Sequence, residues 1–203
     1  MQSNLEFVTD GSVVYRLGGN EWYAVTEGDD KVMLVDVDCE IGDKALKTRW
    51  SDGDFRSEEG EEGENGQAVL DYVNRLADTY FGAIKHAIIP RSVEAGSGKL
   101  ENAYMWPMSK EEFEGNKAVG SKIAYNANNP KNLVWTRTFS GVSSFGYYCA
   151  WYVGNAKGDL GNYGSIAGVF NVAPAFYLRK STIDHITDNG EIILKPMDTD
   201  ITD

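Results

Sequence analysis

The sequence lacks the features that place a protein in a membrane or send it out of the cell. No stretch approaches the roughly 18 consecutive apolar residues that a membrane-spanning helix needs. The first residues, MQSNLEFVTDG, contain no basic region followed by an apolar region and small residues, which is the pattern of a secretory signal peptide. We therefore expect no membrane insertion and a protein that folds in the cytoplasm without a signal peptide.

Cysteine is scarce, with only Cys39 and Cys149 among 203 residues. Two cysteines so far apart in the chain do not indicate a disulfide scaffold, which relies on several bridges to stabilise a small core. We expect two separate thiols that fill apolar space. A single bridge between them, or one reactive thiol, stays open as an alternative.

Basic residues are outnumbered by acidic ones. The chain has 19 Lys and Arg against 31 Asp and Glu, which gives a net charge of −12. This charge repels phosphate backbones and anionic lipid surfaces at long range. The sequence therefore predicts no nucleic-acid partner.

The common catalytic motifs are missing as well. The chain contains no Gly-x-Ser-x-Gly elbow, no phosphate-binding P-loop and no His-Glu-x-x-His. Of its two histidines, His86 lies beside apolar residues, where a packed or surface role is the commoner one, and His185 has no nucleophile near it in the sequence. We therefore expect no enzymatic activity and no cofactor.

Length and composition indicate a single domain. With 42% hydrophobic residues the chain can bury one substantial core. We assign residues 1–180 to this domain and residues 181–203 to a C-terminal tail, in which residues 191–195 are a candidate for one added strand. Residues 52–64 consist mainly of acidic residues and glycine, a composition that predicts a solvated loop.

Hydrophobic periodicity predicts strands at both ends of this domain and helices between them. Residues 12–37 contain three apolar runs that predict a β meander. Residues 67–81 have apolar side chains at helical spacing and predict the main helix. Ser109 and Glu112 have the spacing of a capping box, where a short helix begins. Further strands are predicted at 133–138, 146–154, 168–172 and 174–179. This order predicts an α+β fold with antiparallel sheets, one main helix and one or more short helices.

Several short motifs follow one another along the chain in a distinctive order. They are Trp-x-x-Val (Trp22 to Val25) with a strand after it, Trp50, the segment Met108 to Phe113, Trp-x-Arg-Thr (Trp135 to Thr138), a Tyr-Val-x-x-x-x-Gly strand and Val-x-Pro-Ala (Val172 to Ala175). In this order the chain resembles a family of uncharacterised bacterial and phage domains with a C-type-lectin-like fold. Related folds include the variable proteins of diversity-generating retroelements and the formylglycine-generating enzymes. The resemblance implies the fold and little about the ligand. The family usually has Arg where this chain has Ala173, which puts any role for an arginine there in doubt.

The calcium-binding triplets of sugar-binding lectins are absent. At the two corresponding places this chain has Lys131 and Arg137, cations where Ca²⁺ needs oxygen ligands. Asp52, Asp54 and Glu58 have a spacing that suits weak Ca²⁺ binding, but the other positions of an EF-hand loop do not line up, which favours the solvated loop. We therefore expect a calcium-independent protein with no metal site.

Residues 143–170 are expected to form a contact surface. Aromatic residues there are interleaved with Ser, Gly and Asn, the types that adaptable binding surfaces favour. Strand parity places Trp151 in the core and Tyr148 and Tyr152 on the surface. Packing of both tyrosines under a loop or against another subunit is an equal alternative. The candidate ligand-binding residues are Ser143, Ser144, Phe145, Tyr148, Tyr152, Asn155, Asn162 and Tyr163.

Five other residues are expected to be structural: Trp22, Trp135, Arg137, Trp151 and Pro174. The planar donors of Arg137 suit a carboxylate or loop carbonyls inside the fold, with ligand contact as the alternative. These expectations together describe a non-enzymatic module that recognises protein or glycan through residues 143–170. The alternative is a structural protein of a phage virion, in which neighbouring subunits bury the same surface. Phage proteins fold in the host cytoplasm and leave by lysis, so virion association fits a chain without a signal peptide.

Overall fold

The computed structural model describes residues 5–53, 64–126, 133–154 and 159–196. The strands in chain order are β1 (Tyr15–Leu17), β2 (Asn20–Glu27), β3 (Lys31–Asp36), β4 (Glu40–Ile41), β5 (Lys44–Ala45), β6 (Lys47–Thr48), β7 (Ile88–Ile89), β8 (Arg91–Ala95), β9 (Gly98–Ala103), β10 (Trp106–Pro107), β11 (Val134–Val142), β12 (Tyr148–Gly154), β13 (Asp159–Ser165), β14 (Phe170–Asn171), β15 (Pro174–Arg179), β16 (Ile183–Ile186) and β17 (Ile192–Leu194). The helices are α1 (Gln67–Thr79), α2 (Lys110–Gly115) and α3 (Lys117–Asn126), with 3₁₀ turns at Gly82–Ala87 and Lys180–Thr182. The α+β class is as predicted.

The first large sheet contains the predicted meander. Its strand order is β1-β2-β3-β15-β10, and β7 also pairs with β15. Neighbouring strands run antiparallel. Residues 32–36 of β3 are all buried, because both faces of this central strand are covered. That is why residues 32–35 form a continuous apolar run and not an alternation.

The second large sheet is formed mainly by the C-terminal half of the chain. Its strand order is β13-β12-β11-β14-β6, so β13 and β6 lie at its edges. The hairpin of β11 and β12 lies at its centre, and β14 runs parallel to β11. Strands β11, β12 and β14 were predicted, with somewhat different bounds. Strand β13 was missed, because its sequence, DLGNYGS, is rich in residues that are rare in strands.

Two of the three α-helices lie at the predicted places. The main helix, predicted over 67–81, occupies 67–79. The capping box is also present: Ser109 Oγ accepts a hydrogen bond from Glu112 N at 3.1 Å, and the Glu112 carboxylate accepts one from Ser109 N at 2.7 Å. Helix α3 was not predicted. Its sequence, KAVGSKIAYN, is only weakly amphipathic and contains a glycine.

The buried side chains form two core layers. The first core layer joins both large sheets to α1, and the second lies between the sheets and the helices α2 and α3. Four of the five tryptophans are fully buried: Trp22, Trp50, Trp106 and Trp135. Both cysteines are buried and unpaired, as expected. No helix in the described ranges is both long and apolar enough to cross a bilayer.

The C-terminal tail is part of this core. It contributes two paired strands, β16 and β17, where one strand was expected. Ile183 and Ile192 are buried in the first core layer. The tail also reaches the first sheet, since Arg16 N donates to Gly190 O at 2.9 Å. Of the acidic loop expected at 52–64, residues 54–63 lie outside the described ranges.

Candidate functional site

The loop between β11 and β12 is a tight turn held by its own hydrogen bonds. Ser143 N donates to Tyr147 O at 2.8 Å, and Gly146 N donates to Ser143 O at 2.9 Å. Ser143 Oγ accepts a third hydrogen bond from Tyr147 N at 3.1 Å. Gly146 has a φ of +78°, a conformation that glycine adopts without strain. These three hydrogen bonds hold the backbone of the loop in this turn.

Three apolar side chains of this hairpin are exposed. Phe145 is 83% exposed, Val142 is 49% exposed and Tyr147 is 37% exposed. We call Val142, Phe145 and Tyr147 the apolar tip. A phenylalanine exposed to this degree gains nothing from the folded core, because burial is the source of hydrophobic stabilisation.

The base of the apolar tip is anchored in the first core layer. Tyr148 pairs with Val142 at the end of the hairpin and is only 5% exposed. Its ring lies 6.1 Å from that of Phe139, which lies 5.9 Å from that of Trp50. Trp50 Nε1 donates to Thr136 O at 2.9 Å. This row of aromatic rings holds the hairpin against the rest of the domain.

The predicted parity of β12 is wrong. Tyr148 is buried in the first core layer, whereas Trp151 is only half-buried, with Lys110 Nζ 4.5 Å from its ring centre. The physical reason is that both faces of this strand are covered, because Val153 on the opposite face packs in the second core layer beside α3. Parity separates two faces, but it does not tell which of them is exposed when helices cover the second one.

Tyr152 is also a packing residue, not the surface residue that was expected. Its ring meets Phe170 edge-on at 5.8 Å, and Phe170 stacks on Trp135 at 4.2 Å. Trp135 is fully buried, as predicted, and its Nε1 donates to Thr48 O at 3.1 Å. These rings lie over Gly161 and Gly164 of β13, where a methyl group would come within 2.3 Å and 2.7 Å of ring atoms.

The remaining predicted ligand-binding residues are divided among several environments. Ser144 is exposed beside Phe145, whereas Ser143 is half-buried in the turn. Asn162 is half-buried in β13, and its carbonyl accepts from Ser140 Oγ at 2.6 Å. Tyr163 lies in the same strand. Asn155 lies outside the described ranges. The structure therefore brings Ser143, Ser144 and Phe145 together at the hairpin and does not add Tyr148 or Tyr152 to an exposed surface.

Arg137 makes the internal contacts expected of a structural residue. Its Nη2 donates to Glu112 Oε1 at 3.1 Å and its Nη1 donates to Glu94 O at 3.4 Å. Glu112 also accepts from Arg91 at 3.5 Å, so one carboxylate joins two arginines to the start of α2. The Arg137 side chain is 15% exposed. Of the other structural residues, Trp22 is fully buried and Pro174 is buried at the start of β15.

A strong electrostatic perturbation lies away from the hairpin, at Asp36. This carboxyl is fully buried on β3, where it accepts hydrogen bonds from Asn20 Nδ2 at 2.6 Å and Glu40 N at 3.2 Å. Burial and then the negative charge of Asp38 raise the pKa of Asp36 to about 8. Burial likewise raises the pKa of the neighbouring Cys39 thiol.

The remaining candidates for a functional site are pockets and clusters of metal-binding side chains. A polar pocket of about 340 Å³ lies at the start of α1, and its described lining includes two carboxylates; it is lined by Ser51, Asp52, Gly53, Asn65, Gln67, Ala68 and Asp71. Within the described ranges, no three His, Cys, Asp or Glu residues are grouped so that they could hold a metal ion. Of the expected acidic cluster, Asp54 and Glu58 lie outside those ranges.

The sequence has a further feature at this hairpin, which strand parity does not detect. A quarter of the chain is charged, yet residues 138–156 contain no Asp, Glu, Lys, Arg or His. Exposed Val142 and Tyr147 both fall in this uncharged run. Comparisons with models of protein families, with curated proteins and with solved structures found no match to this chain. Its function is therefore argued from these residues.

Proposed function

We propose that this protein is a non-enzymatic binding module that recognises another protein through the apolar tip. The observation that carries the proposal is the 83% exposure of Phe145 at the end of a turn closed by three hydrogen bonds. An exposed aromatic side chain on a hydrogen-bonded turn is suited to enter a partner's pocket, because the backbone that carries it loses little conformational entropy on binding. Large aromatic side chains are also the commonest residues to dominate interface energetics.

The chemistry of the surrounding residues favours a protein partner over a glycan. The centres of protein interfaces are depleted of charge and enriched in Phe and Tyr. The hairpin has both properties, since residues 138–156 are uncharged and Phe145 and Tyr147 are exposed within them. The polar side chain exposed beside Phe145 is that of Ser144, whereas Ser143 Oγ accepts a hydrogen bond within the turn. Among the described side chains beside Phe145, few polar groups are thus placed to bind sugar hydroxyls.

We also propose that the domain has a C-type-lectin-like fold. In support, the opening motif at Trp22 and the closing motif at Pro174 lie in the same sheet, two strands apart. The Trp-x-Arg-Thr motif lies on β11, which carries the hairpin. The motifs on which the resemblance rests are thus parts of one packed core.

The experiment selects peptide ligands for the whole chain from a library of random linear peptides. Binding of the selected peptides is then measured by calorimetry for the wild type and for Phe145→Ser. The expected result is a loss of affinity of about tenfold or more, because truncating a central interface aromatic costs about 2 kcal/mol. The melting temperature of Phe145→Ser is expected to equal that of the wild type, because the side chain is exposed.

Tyr125→Ser is the matched control, since Tyr125 is 69% exposed on α3 and is not part of the apolar tip. This variant is expected to bind the selected peptides as the wild type does. Equal binding by Phe145→Ser would contradict the proposal. A glycan array with specific hits that Phe145→Ser abolishes would assign the tip to sugars instead. A wild-type oligomer that Phe145→Ser converts to monomers would favour the virion-subunit alternative.

A further inference from the structure

Tyr177 of β15 is the centre of a group of cationic side chains on the first sheet. Its ring centre lies 4.6 Å from Lys31 Nζ and 5.7 Å from Arg91 Cζ. The Arg91 guanidinium also lies 5.2 Å from the ring centre of Trp106, which is 5.5 Å from that of Tyr177. Attraction to the face of an aromatic ring holds a cation in place. Two rings therefore hold Arg91, and one ring brings two like charges together.

Strand pairing places a third cation, Arg179, on the same face of the sheet. Lys31 of β3 lies opposite Arg179, and Tyr177 lies opposite Met33. Side chains directly opposite each other share a face, and so do residues two positions apart on one strand. Lys31 is half-buried and Arg179 is exposed, and both lie outside the second core layer, which contains Met33. We call Lys31, Arg91, Tyr177 and Arg179 the Tyr177 site.

A single carboxylate is shared by two arginines beside this site. Glu112 Oε1 lies 3.5 Å from Arg91 Nη1 and 3.1 Å from Arg137 Nη2, so one negative charge faces two positive charges. The Arg91 side chain is 34% exposed, and a ligand in solvent can therefore reach it. Within the described part of the chain, Arg91 Nη2 makes no hydrogen bond, so this donor is available to a ligand.

The other two cations have no carboxylate partner of their own. Within the described ranges, neither Lys31 nor Arg179 takes part in an ion pair. The residues Asp29–Asp30 precede Lys31 in the turn without pairing with it, and Glu27 binds Lys180 at 2.7 Å. The three cations of the Tyr177 site thus share one carboxylate at ion-pair distance. Such local conflicts between like charges are expected where a partner binds.

We propose that the Tyr177 site binds the carboxylates of an acidic segment of another protein. Arg91 holds one carboxylate, because its planar donors match carboxylate geometry and two rings orient the group. Lys31 and Arg179, side by side on neighbouring strands, hold a second one. Ile89 is half-buried opposite Tyr177 and adds an apolar contact for a side chain between two acidic residues of the segment.

The charge of the whole chain favours this kind of ligand over other anions. A net charge of −12 repels a nucleic acid or an anionic lipid surface, each of which presents many phosphates together. It repels a second copy of this chain for the same reason. A protein segment with one or two carboxylates complements the cations and meets less of this repulsion. The site lies on the first sheet and the apolar tip on the second, so the inference goes beyond the proposed function and does not depend on it.

The test measures binding of the whole chain to an array of short linear peptides. Each peptide has Glu-Leu-Glu at its centre and varied flanking residues, and each has a partner peptide with Gln-Leu-Gln instead. The chain is expected to bind a subset of the acidic peptides about tenfold or more tightly than their amide partners, because the partners lack the charged hydrogen-bond acceptors. An array without binders, or amide peptides that bind as tightly as the acidic ones, would overturn the proposal.

Single substitutions then locate the bound peptide on the chain. Arg179→Gln and Lys31→Gln are each expected to weaken binding of the tightest acidic peptide about fivefold or more, since each removes one cation from a carboxylate. Lys31→Arg keeps the charge and should bind as the wild type does. Both side chains lie outside the two core layers, so all three variants should keep the wild-type melting temperature. Unchanged binding in both glutamine variants would overturn the proposal.

Arg75→Gln is the matched control, because it removes the same charge from an exposed arginine of α1 that forms no ion pair within the described ranges. This variant should bind the acidic peptide as the wild type does. An equal loss of affinity in Arg75→Gln would overturn the proposal, because net charge and not the site would then govern binding.

Three further outcomes would assign the peptides or the site differently and overturn the proposal. Weaker binding by Phe145→Ser would place the acidic peptides at the apolar tip, whereas equal binding is expected. Single-stranded DNA that displaces the peptides, and that Arg179→Gln no longer binds, would make the site one for nucleic acid. A wild-type dimer in sedimentation velocity that Arg179→Gln dissociates would make a second copy of the chain the occupant.

Discussion

Asp36 is an acidic residue in the interior of the domain. Its carboxyl is fully buried, and both of its oxygens accept hydrogen bonds, from Asn20 and from Glu40 N. Burial and the nearby charge of Asp38 favour the protonated form, which is why its pKa rises to about 8. Among the described residues, the charge that acts on this carboxyl is that of Asp38, which is negative and opposes its ionisation.

Stability is therefore expected to fall as pH rises from about 4 to about 8. Across this interval the unfolded chain has released the Asp36 proton and the folded chain still holds it, so each pH unit lowers the free energy of unfolding by up to about 1.4 kcal/mol. Asp36→Asn should flatten this slope, even though loss of one acceptor lowers its stability overall. The measurement is urea denaturation at a series of pH values.

Asp43→Asn serves as the control for this pH series, because Asp43 is exposed in the turn between β4 and β5. Its free energy of unfolding should change with pH in parallel with that of the wild type. If the free energy of unfolding of Asp36→Asn changed with pH as steeply as that of the wild type, the buried carboxyl would not hold its proton through neutral pH.

Phe145 and Tyr148 show how neighbouring aromatic residues acquire opposite roles. They are three positions apart, yet Phe145 is almost fully exposed and Tyr148 is buried. Nothing in their own chemistry separates them, since both rings gain free energy from burial. The turn at Ser143–Gly146 directs one away from the domain, and Phe139 covers the other.

Among the elements, β13 depends most on glycine. The rings of Trp135 and Tyr152 occupy the space that a side chain at Gly164 would need, at 2.7 Å and 2.9 Å from the position of a Cβ atom. A Cβ atom at Gly161 would be similarly close to the ring of Tyr152. The strand is thus built from residues with poor strand propensity because its aromatic neighbours leave no room for better ones.

Gly164→Ala is expected to destabilise the protein by about 1–3 kcal/mol, the usual cost of overpacking a filled core. The measurement is the free energy of unfolding in urea. Gly115→Ala is the control, because a Cβ atom at the end of α2 meets nothing within 4 Å. It should be neutral or slightly stabilising, since Ala favours helix over Gly. A neutral Gly164→Ala would mean that the rings over β13 move aside easily.

In helix α2, a single carboxylate binds three partners. Glu112 accepts from Ser109 N to complete the capping box and also binds Arg91 and Arg137. The six residues of this helix are too few to be stable alone. Its position therefore depends on these contacts and on Phe113, which is buried in the second core layer.

At the scale of the whole molecule, stability is expected to be independent of divalent metal. Neither calcium triplet of the sugar-binding lectins is present, and the described ranges contain no cluster of ligating side chains. A ligand bound only by the native state would raise stability by mass action. The melting temperature in EDTA should therefore match that in Ca²⁺ within experimental error.

Ionic strength must be matched with monovalent salt in this comparison, because Ca²⁺ also screens the repulsion within a chain of net charge −12. A drop of several degrees in chelator that Ca²⁺ restores and monovalent salt does not would demonstrate a metal site.

The sequence by itself determined the local elements. The apolar runs of 12–37, the helical spacing of 67–81 and the pair of Ser109 and Glu112 each predict a structure from neighbouring residues, and each is present. The α+β class and the unpaired cysteines also follow from order and composition. These features succeed because backbone geometry fixes which nearby side chains share a face.

Only the tertiary structure decided which aromatic residues of the C-terminal half are exposed. Parity placed Tyr148 outside and Trp151 inside, but Tyr148 is buried and Trp151 is only half-buried, because the two core layers cover both faces of β12. The place of β13 in the second sheet was equally hidden, because the order of the strands is set by the whole sheet and the glycines of β13 lie against rings on β11 and β12. Burial is a property of the assembled layers, which residues far apart in sequence create together.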